Sequence, residues 1–101
     1  MSIEVTGRHM HDVGELKDFA RDKGAELVAA FSRVEHVHVI LDQAKHRQFK
    51  ASVVAQSKGH IRVEAEEVSD NMRTSISAAF VKVEKQLRKF RAKVTDHRVK
   101  S

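Results

Sequence analysis

The sequence predicts a small α+β domain whose elements follow the order β-α-β-β-β-α. Four short stretches alternate apolar and polar residues, which is typical of strands with one buried face. Two longer stretches repeat apolar residues at helical spacing, which predicts helices with one apolar stripe each. The economical assembly of these elements is a four-stranded sheet with both helices packed on one of its faces.

The first strand and the first helix occupy the opening third of the chain. Residues 1–8 alternate, with Ile3 and Val5 on one side. Asp12 and Glu15 have the spacing of a capping box, so the helix is expected to begin at residue 13 or 14. The apolar positions of this helix are Leu16, Phe19, Ala20, Leu27, Ala30 and Phe31.

Three further strands follow, each with one apolar face. Their inner positions are Val37, Val39 and Leu41, then Phe49, Ala51, Val53 and Ala55, then Ile61, Val63 and Ala65. Residues 42–48 are expected to form a polar connection. Residues 56–59 are expected to form a tight hairpin turn, with Gly59 at positive φ.

The outer face predicted for the sheet is mixed in character. It would carry Glu4, Thr6, His36, His38, Ile40, Lys50, Ser52, Val54, Arg62 and Glu64. It offers no Phe, Tyr or Trp on which a base could stack, so this face is a poor platform for single-stranded RNA.

The last helix carries the longest apolar stripe and most of the positive charge. The stripe comprises Met72, Ile76, Ala79, Phe80, Val83, Leu87, Phe90 and Val94. Residues 71–101 hold nine basic and two acidic residues, a net charge of +7, whereas residues 1–70 have a net charge of −2. Such an uneven distribution favours contact with a polyanion, RNA or DNA above all. The alternative is a lysine-rich helix face that only keeps the protein soluble.

Four lysines fall together along one edge of that stripe: Lys82, Lys85, Lys89 and Lys93. Residues three and four positions apart are neighbours on a helix, so the four charges stack along its axis and repel one another. An anionic partner would remove that repulsion. Binding is therefore expected from the helical side, through backbone and shape rather than through base edges.

Length, composition and motifs limit the remaining possible architectures and functions. The chain is expected to form one domain over residues 1–94, followed by a short basic tail over residues 95–101. It has no cysteine, which excludes disulfides, and no apolar run near the ~20 residues of a membrane span. No nucleophile elbow or glycine-rich phosphate loop is present, so neither enzymatic activity nor a cofactor is expected. The seven histidines include two His-x-His pairs, but a zinc site needs three or four converging ligands, and surface cations are favoured over a metal.

The pattern resembles the ribosome hibernation promoting factor family, also known as ribosome-associated inhibitor or sigma-54 modulation proteins. The run from Val5 to Gly7 is similar to the family's opening I-T-G, and residues 31–41 are similar to its F-D-R-I…V-x-V-V-L stretch. Residues 61–66 match its I-H-A-S-A-E strand. The most specific match is residues 71–89, which are similar to D-M-Y-A-A-I-D…K-L-E-R-Q-L-x-K.

The resemblance implies a fold similar to double-stranded RNA-binding domains and a defined partner. Family members bind the small ribosomal subunit in the channel for mRNA and tRNA. They inhibit translation and keep ribosomes inactive in starvation or stationary phase. The RNA-binding residues expected here are Lys82, Lys85, Arg88, Lys89 and Lys93, together with Lys17, Lys23, Lys45 and Arg73. A bacterial cytoplasmic location and a monomeric isolated protein are expected. The short form, without a dimerisation domain, would assist ribosome dimers together with a separate small ribosome modulation factor.

The sequence departs from the family pattern at several positions. Arg73 stands where a Tyr is usual, Asn71 where an Asp is usual, and Val13 where a Thr cap is usual. Gly24 stands where a large apolar residue is common, and it is expected to loosen the packing of the first helix. It should also cost about 1 kcal/mol of helix stability relative to alanine.

Two alternative functions stay open from the sequence. One is a protein-interaction module that modulates a transcription factor of the sigma-54 type through the outer sheet face. The other is a general binder of double-stranded RNA, although the defined loops that such domains use cannot be identified in this chain.

Overall fold

The computed structural model describes residues 2–8, 14–45, 47–59 and 61–100, apart from the side chains of residues 44, 45 and 91–100. The elements are β1 (Ser2–Arg8), α1 (Gly14–Ala30), β2 (Val34–Lys45), β3 (Gln48–Ser57), β4 (Ile61–Ser69) and α2 (Met72–Lys100). The predicted order β-α-β-β-β-α is confirmed. The residues of the predicted capping box before α1 are only partly described, because Asp12 lies outside the described ranges.

The sheet has the strand order β1-β2-β3-β4. The first two strands run parallel, with Ser2 opposite His36, because α1 carries the chain back between them. The other pairs are antiparallel hairpins. Gly59 takes a φ of +82° in the turn between β3 and β4, as predicted for that position.

Both helices bury their apolar stripes against the same face of the sheet. The largest fully buried apolar side chains are Leu27, Val37, Val39, Leu41, Val53, Ile76 and Val83, and they come from both helices and from the two central strands. Strand positions alternate between this core and the opposite face, as the period of two requires. The predicted two-layer α+β architecture is therefore confirmed.

The polar connection predicted over residues 42–48 is wrong in extent. β2 continues to Lys45, β3 begins at Gln48, and these two residues pair with each other. Only residues 46 and 47 join the strands, with Arg47 at a φ of 60°. The apolar alternation fades beyond Leu41, but the backbone ladder of a hairpin needs no buried face to continue.

The apolar stripe of α2 extends beyond the core that it was predicted to fill. Phe90 is 40% exposed, although it lies in phase with buried Val83 and Leu87. The 29 residues of α2 span about 43 Å, whereas the nine-residue strand β4 beside it spans about 30 Å. The end of the helix therefore projects past the sheet. Residues 95–100, predicted to form a tail, continue the helical backbone to Lys100.

Gly24 tightens the packing of α1 instead of loosening it, so that expectation is wrong. The residue is buried, and a Cβ atom built on it would lie 2.9 Å from Cγ2 of Ile3. Real Cβ atoms do not approach other carbon atoms so closely, because carbon atoms repel one another steeply inside their optimal contact distance of about 3.5–4.0 Å. The missing side chain allows α1 to lie directly on β1.

A serine network joins the start of α2 to the sheet. The hydroxyl of the fully buried Ser75 donates to the carbonyl oxygen of Phe49 at 2.7 Å and lies 2.7 Å from Oγ of Ser69. Asn71 caps the helix, since its Oδ1 accepts the backbone N–H groups of Arg73 and Thr74 at 2.9 and 3.3 Å. The Asn in place of the family's usual Asp thus keeps the capping function.

We expect Ser75→Ala to lower the free energy of unfolding by about 1–3 kcal/mol, because it removes two hydrogen bonds at a fully buried position. The measurement is urea unfolding followed by circular dichroism. Ser77→Ala is the matched control, because Ser77 lies in the same turn of α2 and is only half-buried. Equal midpoints for the two variants would contradict a structural role for the network.

Candidate nucleic-acid interface

Three of the predicted lysines project from one side of α2, next to β4. Lys82 contacts Glu67 of β4, with Nζ 2.9 Å from Oε2. One turn further, Nε2 of Gln86 donates to the backbone carbonyl oxygen of Glu64 at 3.0 Å. Lys85 and Lys89 follow on the same side of the helix, as the spacing of three and four residues requires. We call Lys82, Lys85 and Lys89 the lysine flank.

The members of the lysine flank differ in how their charge is balanced. Lys82 is neutralised by Glu67, and the neighbouring Arg88 by Glu84 at 3.4 Å on the same helix. Lys85 and Lys89 are exposed, and neither has an ion pair among the residues that the structure describes. Their positive charge therefore faces solvent uncompensated. These two lysines are the part of the flank that is ready to take an anion without breaking an existing pair.

A second cationic group lies where α1 meets the start of α2. The half-buried ring of Phe19 has Nζ of Lys23 at 5.6 Å from its centroid and Cζ of Arg73 at 4.9 Å. Both distances lie within the range of a cation–π interaction. Arg73, which replaces the family's usual tyrosine, therefore contacts an aromatic ring and adds a charge. We call Phe19, Lys23 and Arg73 the Phe19 clamp.

The Phe19 clamp and the lysine flank lie on opposite sides of α2. Arg73 and Lys82 are nine residues apart, which at 100° per residue is about 180° around the helix axis. Their partners agree with this geometry, since Arg73 reaches α1 and Lys82 reaches β4. The structure therefore places five of the nine predicted RNA-binding residues in two separate groups.

The remaining predicted residues fall outside these groups. Lys17 is half-buried on α1, one turn before Arg21, whose guanidinium pairs with Asp18 at 3.4 Å. Lys45 and Lys93 belong to β2 and α2 by their backbone, but their side chains lie outside the described part of the chain.

The outer sheet face neutralises its own charges. Lys50 pairs with Glu66 at 3.5 Å, and Arg62 pairs with Glu64 at 3.3 Å. His38 lies 4.0 Å from Glu4. His38 and Glu4 are directly opposite on β2 and β1, and Lys50 and Glu66 are diagonal neighbours on β3 and β4, whereas Arg62 and Glu64 lie two residues apart on one face of β4. This face leaves little net charge to attract a polyanion.

The histidines show no metal-like arrangement within the described residues. His36 and His38 have ring centroids 6.5 Å apart, and their ring nitrogens contact Ser2 and Thr6. Groups of three or more metal-ligating side chains are absent from the described ranges. His9 and His11, the other predicted pair, lie outside those ranges. The helices within them include none that is both long and apolar enough to cross a membrane.

Sequence reasoning missed two features of the site. The Lys82–Glu67 pair joins residues of α2 and β4 that are 15 positions apart, so no local spacing reveals it. The sequence pattern shows Phe19 only as part of the apolar stripe of the first helix, and it does not reveal that Lys23 and Arg73 both contact its ring. The positions of Phe19 and Lys23, four residues apart on a helix, are the one local signal that could have indicated the contact.

Fold and site together define a class of protein, a small two-layer α+β domain with cationic helix surfaces and a charge-paired sheet. Residues 3–95 match the family described as Sigma 54 modulation protein / S30EA ribosomal protein, and the chain belongs to this family. The family resemblance predicted from the sequence is thus confirmed.

Relatives and solved structures agree with this membership. The chain is similar to proteins named ribosome hibernation promoting factor from Klebsiella oxytoca and Escherichia coli, at 26% and 27% identity over 97 residues. These matches cover 96% of this chain and 100% of each relative.

Two solved structures share the fold. A ribosomal subunit interface protein from Coxiella burnetii has a TM-score of 0.80 at 21% identity, covering 91% of this chain and 99% of its own. The N-terminal domain of Thermus thermophilus Protein Y has a TM-score of 0.77 at 23% identity, covering 89% and 99%.

Proposed function

We propose that this protein is a ribosome hibernation factor that binds the small ribosomal subunit in the channel for mRNA and tRNA and so inhibits translation. The observation that carries the proposal is the lysine flank, with Lys85 and Lys89 uncompensated, in a chain that belongs to the S30EA ribosomal protein family. Ribosomal RNA supplies the phosphates, and contacts of this kind release counterions. The role is a binding role in the cytoplasm, without a catalytic step.

The division of charge supports binding through the helices. The sheet face pairs its carboxylates with its own cations, while the lysine flank and the Phe19 clamp keep unpaired charge among the described residues. A partner that bound the sheet face would need both positive and negative groups to complement this mixture of charges. A polyanion that approached the helices would meet positive charge on both sides of α2.

Co-sedimentation tests the proposal directly. Purified protein is centrifuged through sucrose with salt-washed 30S or 50S subunits at two salt concentrations, with tRNA and mRNA added as competitors. The proposal expects binding to 30S subunits that weakens with salt and is displaced by the competitors. Absence of binding at low salt would overturn it. Binding that neither tRNA nor mRNA displaces would refute the location in the channel.

We expect Glu67→Gln to strengthen binding to 30S subunits at low salt by about 1.5- to 5-fold. The exposed pair with Lys82 is worth about 0.2–1 kcal/mol, and binding through Lys82 no longer has to break it. Filter binding at several salt concentrations measures the change. Glu64→Gln is the control, since it removes the same charge from β4 on the outer face. Equal gains in 30S affinity for both variants would show that the effect comes from net charge alone.

A separate small ribosome modulation factor is part of the same proposal. The chain would pair ribosomes only together with that partner, because it would bind as a monomer. Sucrose gradients of ribosomes with this protein, with and without the partner, distinguish dimer formation from simple occupancy of the subunit.

A further inference from the structure

We propose that the Phe19 clamp is a second binding site for RNA phosphates, in which Phe19 acts as a positioning residue for Lys23 and Arg73. The inference rests on the proposed ribosome binding for its biological ligand, but its chemistry is independent of that. It assigns phosphodiester groups to a site between α1 and α2, on the side of α2 opposite the lysine flank.

The first argument is the closeness of two like charges. Because Lys23 and Arg73 lie 5.6 and 4.9 Å from one ring centroid, their charged groups are at most 10.5 Å apart. That separation is comparable with the Debye length of about 8 Å at physiological salt, so the repulsion between them is only partly screened. RNA phosphates at the two cations would convert this repulsion into attraction.

The second argument is the absence of a competing carboxylate. Ion pairs of the described residues engage Lys50, Arg62, Lys82 and Arg88, yet within those residues neither Lys23 nor Arg73 has one. The chain therefore holds this pair of cations with a ring face instead of an acid. A ring face attracts a cation without cancelling its charge, so both groups keep their full attraction for an anion.

The third argument is preorganisation. Arg73 is exposed at the start of α2, where its side chain would otherwise sample many rotamers. Its contact with the Phe19 ring restricts those rotamers before any ligand arrives, so less side-chain entropy is lost on binding. The guanidinium donors lie in the plane of the group, so a contact with the ring through Cζ leaves N–H groups available for a phosphate.

The primary test uses RNA without ribosomes. A 12-base-pair RNA duplex is titrated into the full chain at low salt, and the NMR signals of the Arg73 guanidinium and the Lys23 side chain are followed. We expect both signals to shift with one common saturation curve. In free Phe19→Leu protein the ring-current shifts of both signals should vanish. If the duplex leaves both signals unmoved, the inference is overturned, whatever the result with ribosomes.

The second test measures salt dependence with 30S subunits. Lys23→Gln with Arg73→Gln should reduce the slope of log affinity against log salt by about 1.4–1.8, from two lost phosphate contacts. The control, Arg21→Gln with Arg62→Gln, removes the same charge where carboxylates already neutralise it, and it should leave the slope nearly unchanged. Equal slopes for the two double variants would refute the site on the ribosome.

The positioning role of Phe19 has its own readout. Phe19→Leu should lower 30S affinity about threefold in the wild-type chain, because Lys23 and Arg73 then lose the ring that orders their side chains before binding. In the Lys23→Gln, Arg73→Gln background the same change should have no further effect. A loss that persisted in that background would show that Phe19 acts only through packing. If the wild-type chain bound the duplex at the clamp but ignored 30S subunits, the proposed function would fail and the phosphate site would stand.

Discussion

Replacing Lys85 and Lys89 together by glutamate should lower affinity for 30S subunits about 100-fold at ~100 mM salt. With a slope of about 0.7–0.9 per phosphate contact, two lost contacts account for roughly 25- to 60-fold at ~100 mM salt relative to a ~1 M reference, and the two introduced negative charges add repulsion. The pair is chosen because neither lysine is held by a carboxylate among the described residues. Lys82 stays unchanged, since a glutamate there would face Glu67 and disturb the fold.

A matched control separates location from net charge. Arg33→Glu with Lys58→Glu makes the same change of four charges at two exposed residues of the turns near β2 and β3, where the Lys58 N–H donates to the Arg33 carbonyl at 3.0 Å. We expect the fold loss of 30S affinity in this variant to be less than a tenth of the loss in the flank variant, that is, less than about tenfold. Thermal unfolding should give similar midpoints for both. Equal losses of affinity would refute the lysine flank as the contact.

The second large effect concerns Gly24. We expect Gly24→Leu, which restores a residue of the size common in the family, to lower the free energy of unfolding by about 3 kcal/mol or more. A Cβ built at this position would already lie 2.9 Å from Cγ2 of Ile3, and overpacking a close contact costs about 1–3 kcal/mol before the rest of the leucine is accommodated. The side chain of Ile3 can move little to relieve this contact, because its β-branched χ1 angle is stiff.

In a double-mutant cycle with Ile3, we expect the effect of Gly24→Ala on stability to change sign between the two backgrounds. Gly24→Ala alone should be neutral or destabilising, although alanine exceeds glycine by about 1 kcal/mol in helix propensity. In an Ile3→Ala background the close contact is gone, so the same substitution should stabilise by about 1 kcal/mol. Urea unfolding of the four proteins measures the cycle. An equal effect in both backgrounds would show that α1 does not depend on this close approach.

The architecture could be predicted from periodicity because each element has one buried side. The stripe of α2 around Ile76 and Val83, and the alternation around Val37 and Val39, require a two-layer core whatever the loops do. The extent of the elements was less predictable. The hairpin between β2 and β3 continues as paired backbone after its apolar pattern fades, and α2 projects beyond the sheet with Phe90 exposed.

The candidate site could be predicted only as a set of charges. Helical spacing placed Lys85 and Lys89 on one side of α2, and the structure agrees. Spacing could not show that Lys82 is balanced by Glu67, because that contact depends on how β4 lies along α2. Nor could it show that Arg73 and Lys23 meet at Phe19, since the crossing of α1 and α2 is set by the packing of the whole core.

The parallel pairing of β1 has a consequence for the order in which the chain assembles. Ser2 pairs with His36, 34 residues further along, whereas β2, β3 and β4 are joined as hairpins. Closing the longer loop costs more chain entropy, and non-local contacts slow folding. During synthesis the first strand also emerges well before β2, because α1 lies between them in the chain. We expect the meander of β2, β3 and β4 to form with α2 first, and β1 to complete the sheet edge once α1 has folded across it.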